Sequence, residues 1–144
     1  MQANRISIFS VHPTLDLDLV DWLDTQCFKG EVRYLAPKAQ WWVIRDGKGR
    51  PAGYAGLLHY ERRTVFLCRS GILPQYRGRD LQQRLIRVRL RYGRKHGARL
   101  AITYTAPHNI ASNNNLIASG FQMYDPERAW AGRDGVIYWQ RKLA

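Results

Sequence analysis

Short apolar runs separated by turn residues alternate along this chain with stretches of helical spacing. Residues 5–10 (RISIFS) read as a first strand, broken by Val11, His12, Pro13 and Thr14. Pro13 and Thr14 suit a helix start, and Leu15, Leu19, Trp22, Leu23 and Cys27 then recur at helical spacing. Asp18, Asp21 and Asp24 fall on the opposite face, with Asp16 in the first turn, where the helix dipole favours it. Residues 30–40 are irregular. Residues 41–45 (WWVIR) predict a strand, Asp46-Gly47-Lys48-Gly49 a hairpin turn, and 51–60 (PAGYAGLLHY) the returning strand. The glycines of that strand suggest a bulge or a close backbone approach. Glu61-Arg62 makes a second turn into a long strand over 63–73, which Pro74 ends.

The second half opens with a helix over 79–96. Leu81, Leu85, Val88 and Tyr92 form its apolar stripe, joined by Ile86 and Leu90, and Arg84, Arg87, Arg91 and Arg94 form the other face. Gly97 closes it as a C-terminal glycine. A strand over 99–105 follows, and the order strand–helix–strand implies a parallel pair with a right-handed crossover. A shorter helix covers 111–119, ended by Gly120, and 121–124 and 136–141 are closing strands. No repeat, low-complexity segment or linker interrupts the pattern, so residues 1–144 are expected to form a single domain.

Composition sharpens the picture in two places. The chain is 144 residues long, 45% hydrophobic, and carries a net charge of +12. That balance favours an anionic partner: nucleic acid, a phosphorylated cofactor or an acidic surface. The two cysteines, Cys27 and Cys68, form no CxxC pair, which argues against a disulfide framework and against a zinc site; no metal is expected. The apolar stretch at 6–11 is too short for a signal peptide and no run is long enough for a bilayer. A reduced, cytoplasmic protein without a membrane partner is the expectation.

Residues 72–86 (ILPQYRGRDLQQRLI) carry the most chemistry: a strand, a Gly- and Arg-bearing loop, then a helix. A helix N-terminus offers unpaired N–H groups and a positive dipole end, which beside arginines suits a pyrophosphate. The stretch resembles motif A of the GNAT acetyltransferases, in which Q/R-x-x-G-x-G/A follows the fourth strand and cradles the CoA pyrophosphate. Arg77 takes the Q/R position, Leu85 and Ile86 the apolar helix positions, and residues 74–78 read like a P-x-Y-R-G lead-in. Asp80 stands where the first motif glycine belongs and Gln82 where the second does. Asp80 brings a carboxylate towards the expected pyrophosphate, and its other role is to cap the helix. Gln82 adds bulk, and Arg77, Arg79 and Arg84 offset the charge of Asp80.

Residues 109–121 (NIASNNNLIASGF) resemble motif B of the same family, N-x-x-[SA]-x-x-x-[YL]-x-x-x-G-F, matching at Asn109, Ser112, Gly120 and Phe121. Leu116 holds the position where a Tyr often protonates the departing thiolate. Asn109 is equally suited to cap a helix. The resemblance implies an α+β, three-layer α/β/α fold with a mixed, mostly antiparallel sheet splayed between strands 4 and 5. It implies an acyltransferase, with acetyl-CoA as cosubstrate on Ile72, Leu73, Arg77, Gly78, Arg79, Asp80, Leu81, Gln82, Arg84, Asn109 and Ser112, and with an amine acceptor. The N–H groups around Ile72 and Leu73 are expected to be left unpaired by the splay and to polarise the thioester carbonyl. No carboxylate stands on residues 64–68, so the base candidates are His59, Glu61 and His108, alongside a water chain. Tyr104 and Tyr124 are the acid candidates. Asp21 and Asp24 are expected to draw in a cationic acceptor, or else to form a solvated acidic face.

Two other readings stand beside this one. Residues 77–95 hold seven arginines and one lysine, and Trp41, Trp42, Trp130 and Trp139 offer stacking surfaces, the footprint of a nucleic-acid-binding protein. A hybrid acetylates an amine of a nucleic acid or of the ribosome. Asp80, Gln82 and Leu116 instead suit a degenerate GNAT domain that acts through a partner without catalysis. The acceptor is left open, as is the choice between monomer and homodimer.

Overall fold

The computed structural model describes residues 8–31 and 35–143. Seven strands form one sheet: β1 (Ser10–Thr14), β2 (Gln40–Arg45), β3 (Pro51–His59), β4 (Thr64–Ile72), β5 (Leu100–Thr105), β6 (Gln122–Tyr124) and β7 (Ile137–Lys142), in the order β1-β2-β3-β4-β5-β7-β6. β4 and β5 run parallel and every other pair is antiparallel. Three helices flank it: α1 (Leu17–Cys27), α2 (Leu81–Lys95) and α3 (Ile110–Ala118). The mixed α+β architecture expected from the sequence is present, with the α2 crossover joining the parallel pair.

The two faces of the sheet bury separate cores. On one, Trp42, Ile44, Ala55, Leu57 and Ile72 meet Leu85 and Leu90 of α2 and Leu116 of α3. On the other, Val20 and Leu23 of α1 cover Trp41, Val43, Tyr54 and Leu73. β3 serves both, and it faces a bulge in β4: between the pairs Ala55–Ser70 and Leu57–Leu67, Gly56 alone stands opposite Cys68 and Arg69. Gly56 sits at that bulge because a Cβ there would lie 2.6 Å from the Trp41 ring and 2.8 Å from Cys68 Sγ. Its carbonyl, freed from the ladder, accepts from Arg89 Nη1 at 3.2 Å, and Arg89 Nε donates to Leu85 O. Arg89 is thus a cation inside the core, and burial lowers its pKa to about 10.

The N-terminal elements differ from their sequence reading. β1 begins where the first strand was expected to end, and residues 5–7 lie outside the described residues. Pro13 pairs with Trp42 instead of opening a helix, which is allowed because β1 is an edge strand. Asp16 is the cap of α1, accepting from Leu19 N–H at 3.1 Å. α1 starts after Leu15, which is 96% exposed, and its packed face is shifted from the expected stripe: Trp22 is 51% exposed, while Val20, Leu23 and Asp24 are buried. Of the irregular stretch over 30–40, residues 32–34 lie outside the described residues.

β4 and β5 pair only from Thr64–Leu100 to Phe66–Ile102, and Thr103 Oγ1 donates to Leu67 O at 2.8 Å as the last link. Beyond it β4 runs on to Ile72 against β3, and β5 runs on to Thr105 against β7. The sheet therefore opens into a wedge-shaped gap, below the N-terminal turn of α2.

Candidate active site

The wall of the gap on the β4 side is set by ladder alternation. Leu73 N–H donates to Ala52 O at 2.8 Å, so the β3 ladder reaches one residue past β4. This corrects the expectation for Leu73: its N–H is already taken and cannot polarise a carbonyl in the gap. In an antiparallel ladder the neighbouring residue turns its N–H and C=O the other way. Ile72 therefore presents its backbone to the gap, and its carbonyl accepts there from Arg77 Nε at 3.0 Å.

The loop into α2 has a glycine-type backbone at a residue that is not glycine. Gly78 has φ +79° with open space around its Cα, and Asp80 has φ +59°. An aspartate tolerates the left-handed region better than most residues, at a cost a glycine avoids. The capping role expected of Asp80 is not fulfilled, because its side chain makes no cap hydrogen bond. With no side chain capping them, the first-turn N–H groups of Leu81 and Gln82 stay open. Arg77 and Arg79 stand exposed beside them. Arg84 is drawn elsewhere: its Nη1 donates to Phe9 O at 3.0 Å. Gln82 turns towards β4 and accepts from Ser70 Oγ at 3.4 Å, and Gln83 reaches Asn115 of α3 at 3.3 Å. Tyr76 anchors the loop from below by donating to Asp46 Oδ2 at 2.7 Å. That bond and the N–H groups of Arg50 and Lys48 hold the Asp46 carboxyl well below the usual carboxylate range.

An open helix N-terminus, two exposed arginines and an adjoining gap fit an anionic pyrophosphate followed by a narrow chain. Asn109 lies across the gap as the cap of α3, accepting from Ser112 N–H at 3.3 Å. Its side-chain oxygen is thus committed, leaving the amide NH2 for a ligand. Asn113 accepts from Thr105 Oγ1, which in turn accepts from Trp139 Nε1 at 2.8 Å, fixing α3 to the end of β5. Leu116 is a core residue, 5% exposed.

On the α1 side, Asp24 is fully buried. It accepts from Tyr54 Oη and pairs with Arg69 Nε at 2.9 Å. The Arg69 guanidinium lies 4.0 Å above the Phe28 ring, and its Nη2 is 3.6 Å from Glu31. Asp24 is therefore no acceptor-facing carboxylate, contrary to expectation. It is an internal counter-ion that ties α1 to β3 and β4. Burial and the Asp24 carboxylate push the Tyr54 hydroxyl far above the usual phenol range. Asp21 stays exposed on the outer side of α1. Cys27, at the end of α1, is raised by burial, while nearby Arg77 pulls its pKa the other way.

Beyond α1 the same sheet face is aromatic. Tyr104 stacks on Phe66 with centroids 5.9 Å apart, and Trp130 lies edge-on to both. Trp130 Nε1 donates to Tyr124 Oη at 2.9 Å, so that hydroxyl already accepts a bond. Burial raises the Tyr124 pKa, and Trp130 opposes the shift. Tyr60, Glu61, Tyr124, Glu127 and Trp130 line a cavity of about 280 Å³. The structure thus gathers Glu61, Tyr124 and, through Trp130, Tyr104. It does not bring the histidines to them: His59 packs by Tyr92 of α2, and His108 is exposed before α3. Arg69, Ser70 and Trp130 were not assigned to this site from sequence. The aromatic density of residues 124–139 was the one signal for Trp130.

The family model described as Acetyltransferase (GNAT) family matches residues 7–121. Comparison with curated protein sequences gives no significant match. Among solved structures, the IAA acetyltransferase from Bacillus cereus is similar with a TM-score of 0.78 at 14% identity, covering 94% of this chain and 99% of that one. An acetyltransferase from Bacillus subtilis in complex with CoA gives 0.77 at 14% identity, covering 94% and 99%. The ribosomal-protein-S18-alanine N-acetyltransferase from Escherichia coli gives 0.77 at 13% identity, covering 94% of each chain. With its motif loop, wedge-shaped gap and family match in agreement, this chain is an acyltransferase belonging to the GNAT acetyltransferase family.

Proposed function

We propose that the protein transfers an acetyl group from acetyl-CoA to a primary amine. The observation that carries this reading is the uncapped start of α2 beside Arg77 and Arg79, opening onto the gap between β4 and β5. The pyrophosphate takes the N–H groups of Leu81 and Gln82, with Arg77 and Arg79 as its counter-charges. The pantetheine chain takes the gap, between Ile72 and the Asn109 amide. Bound there, acetyl-CoA supplies an activated thioester. Ile72 N–H is the donor placed to polarise its carbonyl.

The amine enters from the α1 face, across Phe66 and Tyr104. Tyr104 protonates the leaving thiolate, because its hydroxyl has no hydrogen-bond partner among the described residues, whereas that of Tyr124 accepts from Trp130. β4 carries neither carboxylate nor imidazole between Cys68 and Ile72, so water removes the ammonium proton.

Calorimetric titration with acetyl-CoA at low and physiological salt tests the donor site, followed by thiol release over a panel of amines. One-to-one binding at both salts, with thiol release dependent on one class of amine, is the expected result. Absence of binding at both salts would overturn the assignment in favour of a non-catalytic domain. Arg77→Ala should weaken binding by about 1.5–3 kcal/mol, as for a bond to a charged group.

A further inference from the structure

A second positive surface lies at the opposite end of α2 from the motif loop. Arg99 N–H donates to Arg63 O at 2.7 Å, Leu143 N–H to Arg99 O at 2.8 Å, and Arg94 Nε to Leu143 O at 3.2 Å. Lys142 pairs with Leu100 across β5 and β7. These bonds gather Arg63, Arg94, Arg99 and Lys142, with Arg62 and Lys95 adjacent in sequence. All six are exposed, and none forms an ion pair among the described residues. Arg87 and Arg91 continue the stripe up the outer face of α2, a further ~12 Å at 1.5 Å per residue.

Carboxylates are missing from this region of the chain: no Asp or Glu stands between Asp80 and Asp125. The carboxylate adjoining the turn, Glu61, lines the aromatic cavity with Glu127. The dipole at the C-terminus of α2 accounts for Arg94 and Lys95. It does not account for Arg62, Arg63, Arg99 or Lys142, which lie outside the helix.

The turn between β3 and β4 adds an independent observation. Arg62 and Arg63 have φ of +39° and +54°, consecutive side-chain-bearing residues in the left-handed region. A hairpin turn of that hand takes Asn-Gly without steric cost. Arginine at both positions accepts the strain and projects two guanidinium groups into the patch.

We propose that this surface binds the phosphate backbone of nucleic acid, independently of base sequence. Arginine forks match phosphate oxygens pairwise, and four of the six cations are arginine. A lipid surface would call for apolar side chains beside the cations. The exposed large apolar residues, Ile8, Leu15, Leu17, Trp22, Ile110, Ile117 and Met123, lie on other elements, with Tyr60 alone near the turn.

Fluorescence anisotropy of the full chain with labelled mixed-sequence duplexes of about 20 base pairs, in DNA and RNA form, tests this. Affinity should fall about 10²–10³-fold between about 50 and 200 mM salt. The double variants R62N/R63G and R94Q/R99Q should each weaken binding about tenfold and flatten the salt slope by about two. R62N/R63G should do so while raising Tm, which separates lost contacts from lost folding. Acetyl-CoA binding, measured by calorimetry, should be unchanged in both. Unaltered duplex affinity in both variants would overturn the proposal. So would tighter binding to phosphatidylserine vesicles or to polyglutamate than to either duplex.

Discussion

Arg69 Nε lies 2.9 Å from Asp24 Oδ1, joining β4 to α1 just where β4 parts from β5. The pair holds the roof of the acceptor side at a fixed height above the gap. Asp24 is fully buried and the Arg69 side chain is 28% exposed, so the pair is shielded from water on one side only. Arg69→Met leaves a buried carboxylate without its cation and should cost about 2–4 kcal/mol. Asp24→Leu with Arg69→Met should recover more than half of that loss, because no uncompensated charge remains. Urea denaturation of the two variants checks both; a double variant no more stable than Arg69→Met would show that the pair does not act as a unit.

Asp80 holds a left-handed backbone that glycine adopts freely, and it brings a negative charge to the uncapped start of α2. Asp80→Gly should stabilise the fold by up to about 1 kcal/mol. It should also tighten CoA binding, roughly three- to tenfold at low salt, since a repulsive charge near the phosphates is removed. Thermal unfolding and calorimetry read the two effects separately. Unchanged affinity would mean that the Asp80 carboxylate does not face the ligand.

The loop holding Arg77 and Arg79 rests on the bond from Tyr76 to Asp46. The folded-state pKa of Asp46 lies below its unfolded value, so its contribution is complete above the ordinary carboxylate range and is lost as pH falls through the depressed value. Tm should therefore decline as pH drops below about 4. Asp46→Asn should have a lower Tm at neutral pH and a flatter acid limb. A wild-type acid limb that Asp46→Asn leaves unaltered would assign the effect to other carboxylates.

What the sequence disclosed and what it hid divide along the range of the interactions. The strand–turn–helix over 72–86 was legible because Pro74, Gly78 and the apolar stripe of the helix are local signals, and the strands over 40–72 because alternation and turn residues are local as well. Asp24 was misread because its reason for pointing inward is Tyr54 and Arg69, neither near it in sequence. With those partners the Asp24 carboxylate is buried, while the apolar side chain of Trp22 is left half-exposed on α1. Arg89 escaped notice for the same reason, since its partner is the Gly56 carbonyl on β3, released opposite a bulge in β4. Leu73 was expected to have a free N–H, but strand ends are set by the partner strand, and Ala52 extends the ladder to it.

The bulge itself is open to test. At Gly56 an added Cβ would meet the Trp41 ring at 2.6 Å and Cys68 Sγ at 2.8 Å, both inside the core. Gly56→Ala should therefore destabilise by about 1–3 kcal/mol, the usual cost of overpacking. A co-substitution Trp41→Leu should recover part of it by making room. If Gly56→Ala unfolds at the wild-type urea midpoint, the β3 backbone can shift without cost.

Tyr104 provides the sharpest separation between catalysis and packing. Its ring is committed to Phe66 and Trp130, and its hydroxyl to no partner among the described residues. Tyr104→Phe keeps the ring and removes the oxygen, so stability and acetyl-CoA affinity should stay at wild-type values. If the hydroxyl protonates the thiolate, kcat should fall about 10²-fold, the lower end for loss of a general acid. A better leaving group needs no proton, so a donor thioester with a more acidic thiol should restore part of the rate in the variant. Tyr124→Phe, which removes the hydroxyl accepting from Trp130, should lower Tm and leave the ratio of the two donor rates unchanged. The opposite pattern, a rate loss in Tyr124→Phe that the activated donor rescues, would transfer the acid role to Tyr124 and leave Tyr104 as part of the aromatic wall.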